Sequence, residues 1–342
     1  MKPKANLDVL RAMAVSMVVV QHILLTTRIY RIGMLDIGWL GYFGVFLFFI
    51  HTSLVLMWSL ERNSDPVNFY VRRIFRIYPL AIFAVLVTVT FHLPAIRNGN
   101  GDAFYWAPGI KNIISNVLLT QNLFWGPDIL GVMWSLPLEI DMYLMLPFLF
   151  WFTPGKSAIW RLLLLWTAIT ILDVSALPAE TSIFPMFIPH FLAGVIAYVG
   201  FYKFRPRIPS FMLPVVIVAS LFVFLTLPSM RRAWVVTLFL GMALPLFRPI
   251  RARWIVAPCH QIAKYSYSIY LMHSFCVVLG FKVLHQYNLA VRLLGVFLPL
   301  AAIVLPTYHF IEKPMIDWGA RLGKKVNPIN AEPLVNQKEA AL

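Results

Sequence analysis

The sequence predicts an all-α polytopic membrane protein with about ten transmembrane helices, one interfacial or re-entrant helix, and both termini inside. Three observations predict it. Only 13% of the 342 residues are charged, against roughly 25% in an ordinary soluble domain. Hydrophobic residues make up 60% of the chain and mean hydropathy is +0.76. Long apolar runs recur from one end to the other, so a division into soluble domains of about 150 residues does not apply. Because lipid offers the backbone no hydrogen-bond partners, the spanning elements must be helices.

A spanning helix needs about 20 mostly apolar residues. The stretches 7–28, 37–60, 77–96, 132–152, 160–178, 184–202, 211–227, 232–249, 265–286 and 290–312 qualify. A further apolar stretch, 110–124, is interrupted by Lys111, Asn112, Asn116, Gln121 and Asn122, which marks it as interfacial or re-entrant. The N-terminus opens with Lys2 and Lys4 like a signal peptide, but Asp8 and Arg11 break the apolar region and no small-residue cleavage site follows. It reads as a retained first helix. Residues 1–318 form the expected membrane domain; 319–342 are polar, carry Pro328 and Pro333, and read as a flexible cytoplasmic tail.

Lys and Arg number 29 against 14 Asp and Glu, a net charge of +15. With the N-terminus inside, 21 of the 29 basic residues fall on the cytoplasmic side. That asymmetry is the positive-inside rule, so the basic excess reflects the lipid bilayer and implies no nucleic acid. Cys259 and Cys276 make neither a disulfide framework nor a metal pattern, and no histidines stand at metal-ligand spacing.

Ionisable groups inside a membrane are costly and mark candidate sites. Arg11 and His22 are eleven residues apart, almost three helical turns, so they share a face of the first helix about 16 Å apart along its axis. A snorkelling arginine and a hydrogen-bonded packing histidine would fit equally well. In NFYVRRIFRIYP (68–79), Arg73 and Arg76 stand at i and i+3 just before the third helix and could clamp an anion, or serve only as inside anchors. Tyr70 and Tyr78 read as interfacial-belt residues. In WSLPLEIDMYLMLP (134–147), Glu139 lies at a depth comparable to His22, where a carboxylate could orient the imidazole as a general base or simply hold two helices together. KYSYSIYLMH (264–273) supplies Ser266, Tyr267, Ser268 and Tyr270 as hydroxyls that bridge helices, and ends at His273. His51, His190 and His309 look like satisfied core histidines, and Gly38, Gly41 and Gly44 permit close helix contact.

Together these stretches resemble the acyltransferase 3 family of bacterial integral-membrane O-acyltransferases, over residues 6 to about 315. The carrying motifs are LDVLRAMAVSMVVVQH with Asp8, Arg11 and His22; Arg73-x-x-Arg76; Trp134-Ser135-Leu136-x-x-Glu139; Ser266 to His273; and Glu312-Lys313-Pro314. The second helix reads FFIHTSL where the family usually has Phe-Phe-x-x-Ser-Gly-Phe, with His51 and Thr52 replacing the usual small pair. The resemblance implies transfer of an acetyl or other short acyl group from cytoplasmic acyl-CoA to a cell-envelope carbohydrate at the inner membrane, with no permanently bound cofactor or metal. It implies catalysis by His22 and Glu139, donor binding by Arg11, Arg73 and Arg76, and support from Asp8, Trp134, Ser135, Tyr270 and His273. A transporter or flippase of envelope glycans, or an inactive scaffold for their assembly, is the rival reading.

Overall fold

The computed structural model describes residues 4–96, 102–124, 126–176 and 183–326. Its helices are α1 (Lys4–Thr26), α2 (Leu40–Arg62), α3 (Pro66–Thr90), α4 (Ile110–Leu118), α5 (Ser135–Trp151), α6 (Ala158–Ala176), α7 (Ile183–Lys203), α8 (Met212–Thr226), α9 (Met230–Ala243), α10 (Arg253–Val278), α11 (Leu289–Pro306) and α12 (Lys313–Val326). Strands β1 (Arg31–Ile32) and β2 (Leu35–Asp36), and β3 (Ala95–Ile96) and β4 (Ala103–Phe104), form two small antiparallel pairs in the loops after α1 and α3. Each of the ten predicted spans falls on a helix. Among the described residues, 8 helical stretches are long and apolar enough to cross a membrane; α8, at 15 residues, and α9, at 14, are shorter.

Burial sorts the helices into an inner and an outer set. The apolar windows of α2, α7 and α10 are each 72% buried, against 22% for α6, whose Trp160, Leu164 and Ile171 face outward as lipid-contacting residues would. α1 packs against α2 and α10. Gly44 makes the first of these contacts possible: a Cβ there would lie 2.5 Å from the Ala14 carbonyl oxygen. The expected glycine contacts therefore form. α1 and α10 run parallel, because Asp8, Arg11 and His22 meet His260, Ser266 and His273 in the same order.

Two expectations need correction. The third helix does not begin after the arginine cluster; Asp65 caps it by accepting from the Val67 and Asn68 amides, with Pro66 in the first position, so Arg72, Arg73 and Arg76 lie on the helix itself. Tyr78 sits midway along α3, and its hydroxyl donates to the Leu118 carbonyl at 3.0 Å, which ties the end of α4 to the middle of α3. The polar residues that interrupt the 110–124 stretch hold it in place: Asn116 binds the Pro127 carbonyl and Ile129 amide, and Asn122 donates to Asp141 at 2.6 Å. The presumed tail boundary at 319 is also wrong. α12 continues through residue 326 and lies along α3, with Trp318 edge-on to Phe75 and a Lys313–Asp317 pair one turn apart. Residues 327–342 of the expected tail lie outside the described residues.

Candidate active site

The chemistry-bearing residues of α1 open onto two cavities. Toward the C-terminal end of α1, His22 lines a cavity with Gln21, Tyr42, Asp128, Trp134 and Tyr270. The Nδ1 of His22 lies 2.7 Å from Nε2 of His273, with the rings stacked at 4.9 Å between centroids. Nδ1 of His273 is 3.1 Å from the Ile269 carbonyl oxygen, which can only accept. A neutral His273 therefore carries its proton on Nδ1 and offers Nε2 as acceptor. His22 must then donate from Nδ1, which leaves its Nε2 lone pair free. This is the tautomer a general base needs.

The orienting partner is thus His273, and the expected Glu139–His22 pair does not form. Glu139 instead accepts from the Tyr143 hydroxyl at 2.5 Å and faces the second cavity. That cavity lies toward the N-terminal end of α1. Its walls carry Arg11, Arg73, Arg76, Glu139, His51 and Thr52. Arg11 is held by a 2.5 Å hydrogen bond from its Nε to Ser266. Arg73 shows no hydrogen bond among the described residues, and its Nε is buried without a partner. Arg76 is already paired: it meets the buried Glu312 at 2.7 Å, and the Ser268 hydroxyl donates to the other carboxylate oxygen. The two-arginine clamp read from the sequence therefore reduces to Arg73 with Arg11, while Arg76 is neutralised.

Val45 and Tyr270 line both cavities, so the two adjoin there. Tyr270 is fixed by donating to the Val132 carbonyl at 2.7 Å and by a 2.8 Å contact with the Ser135 hydroxyl, which leaves Ser135 as donor in that pair. Trp134 stands beside Tyr42, 5.3 Å between ring centres, in the His22 cavity. Asp8 reaches neither cavity; it pairs with His260 at 2.9 Å and ties the start of α1 to α10. The hydroxyls of α10 bridge helices as expected: Ser266 to Arg11, Tyr267 to the Ile77 carbonyl, Ser268 to Glu312.

An acyltransferase-domain family matches residues 4–308. The chain belongs to the acyltransferase 3 family. Over 157 residues it is 28% identical to the peptidoglycan O-acetyltransferase OatA of Listeria monocytogenes, covering 42% of this chain and 23% of that protein. Over 161 residues it is 29% identical to the acyltransferase MdmB of Streptomyces mycarofaciens, covering 45% of this chain and 39% of that protein. The chain thus spans well under half the length of these relatives. No solved structure matches it.

The departure from the family's second-helix run is corrected by register: counting from Phe48-Phe49, Thr52 and Ser53, rather than His51 and Thr52, occupy the usual Ser-Gly positions. The Ser53 hydroxyl hydrogen-bonds the Phe49 and Phe191 carbonyls, and room for it comes from Gly194 on α7, where a Cβ would lie 2.1 Å from Ser53 Oγ. Of the three histidines read as satisfied core residues, His190 is buried and contacts Thr237 at 3.0 Å, whereas His309 contacts Tyr265 at 3.3 Å but is exposed and so is no core residue. His51 makes no hydrogen bond among the described residues and faces the arginine cavity. Sequence reasoning took it for a satisfied core residue, passed over Tyr143, Gln21 and Asp128, and gave Glu312 no role beyond its motif. A lone histidine, amide or carboxylate in an apolar run carries no spacing signal.

Proposed function

We propose that this acyltransferase domain moves a short acyl group, acetyl first among them, from cytoplasmic acyl-CoA to a hydroxyl of a cell-envelope carbohydrate at the bacterial inner membrane. The single observation that carries the reading is that Val45 and Tyr270 line both cavities, so that a cationic chamber lies next to the cavity of His22. The 21-of-29 basic asymmetry supports putting the arginine end in the cytoplasm, where acyl-CoA is made. Arg11 and Arg73 would hold the donor's phosphates, and the thioester would reach His22. Nε2 of His22 takes the acceptor hydroxyl's proton as the oxygen attacks the carbonyl carbon. The C–S bond breaks, and the thiolate leaves with the proton that His22 returns. Trp134 and Tyr42 offer flat apolar faces, and Asp128 a carboxylate, to a hydroxyl-rich ring entering from the other end. The carbohydrate class follows the Listeria relative, a peptidoglycan O-acetyltransferase.

Mass spectrometry of envelope glycans from a strain lacking the gene and from its parent tests this. The expected result is loss of an O-acyl group from one glycan class, restored by the gene, with membranes that release free CoA from acetyl-CoA. Unchanged glycan acylation with altered glycan export would favour a transporter instead.

A further inference from the structure

His51 is 7% exposed, and neither ring nitrogen has a hydrogen-bond partner among the described residues, yet the side chain lines the arginine cavity. With no such partner, the imidazole presents its ring nitrogens to whatever fills that cavity. α1 and α2 are antiparallel with Gly44 against Ala14, so His51, seven residues further along α2, falls at the Arg11 end of the bundle, away from His22. Around it stand three guanidinium groups, Arg11, Arg73 and Arg76, against two carboxylates, Glu139 and the Arg76-bound Glu312. Such a set favours an anion, and a ring N–H is a donor suited to phosphate oxygen. The adjacent Thr52 hydroxyl, also on the cavity wall and without a hydrogen bond among the described residues, is a second donor.

We infer that His51, with Arg11 and Arg73, binds a phosphate of the acyl-CoA donor and takes the place that the Glu312 pairing denies to Arg76. This deepens the donor reading above and rests on it. Two donors separate the possibilities: acetyl-CoA, and S-acetylpantetheine, which keeps the thioester and its amide arm but has no phosphate. Adenosine 3′,5′-bisphosphate, which keeps phosphate and lacks the arm, is the third probe. Binding to the detergent-purified full chain is measured for the wild type, His51→Ala and His51→Gln, the last retaining an N–H donor at similar reach. His51→Ala is expected to weaken acetyl-CoA and the bisphosphate about tenfold and to leave S-acetylpantetheine unchanged, with His51→Gln recovering most of the loss. Equal weakening of both thioesters, as a packing role would give, overturns the inference, and so does unaltered acetyl-CoA binding. A wild type that binds S-acetylpantetheine as well as acetyl-CoA sinks the phosphate site altogether, and one that binds neither sinks the donor reading with it.

Discussion

Replacing His22 with Ala is expected to lower acyl transfer by a factor of about 10² to 10⁴ while the protein stays folded and inserted, because that is the usual contribution of a positioned general base. The assignment rests on the tautomer chain running from the Ile269 carbonyl through His273 to His22. The chain makes a second, graded expectation. His273→Gln can still present an acceptor to His22 Nδ1 and should retain more activity than His273→Leu, which cannot. Donor binding should be the same in all three variants, since the arginines proposed to hold the donor lie in the other cavity. The measurement is CoA release from acetyl-CoA in membranes of matched protein content. Near-normal release by the His22→Ala protein would remove it from the mechanism. Equal loss in both His273 variants would show that His273 does more than accept one hydrogen bond.

The largest stability effect is expected at Glu312. Its side chain is fully buried, ion-paired with Arg76 at 2.7 Å and hydrogen-bonded by Ser268 at 2.7 Å, and it joins the turn between α11 and α12 to α3 and α10. Removing one partner of a buried ion pair leaves the other charge uncompensated, at a cost of roughly 3–5 kcal/mol. Arg76 keeps a little solvent contact, with 21% of its side chain exposed, so the lower end of that range is expected. Glu312→Ala should therefore unfold at a clearly lower temperature in detergent than the wild type. Arg76→Met, Glu312→Met, which removes both charges and keeps the bulk, should recover much of the loss. A Glu312→Ala protein as stable as the wild type would mean that the pair contributes nothing to the fold.

These residues also show how far the sequence could be read. Arg11 and His22 were legible because eleven residues make almost three turns of one helix, so a single face could be assigned without knowing any neighbour. The partner of His22 was not legible. Depth along a span placed Glu139 and His22 at a comparable level, but depth does not say which helices touch, and His273 is 251 residues away in the chain. The start of α3 was legible and missed, since Asp65-Pro66 is a cap followed by a first-position proline. Glu312 was recognisable as part of a motif, but a π-helical turn over Thr307–Glu312 breaks the 3.6-residue period that would have given its facing. α12 was misread because its polar composition outweighed its spacing; Ile316, Gly319, Leu322 and Gly323 form the less exposed stripe of an amphipathic helix on α3.

The central proposal is that the donor bound in the arginine cavity reaches the base across the boundary at Val45 and Tyr270, the two residues that line both cavities. Val45→Trp tests it most directly, because a large ring there fills that boundary, provided that the variant matches the wild type in membrane abundance and thermal stability, since Val45 is a core residue. Acetyl-CoA binding and acetyl-CoA-dependent acylation of envelope glycans are measured on the same membranes. The account predicts donor affinity within about twofold of the wild type, allowing for the usual scatter of a substitution outside the binding groups, together with loss of transfer. Transfer at the wild-type rate with that boundary filled would contradict it.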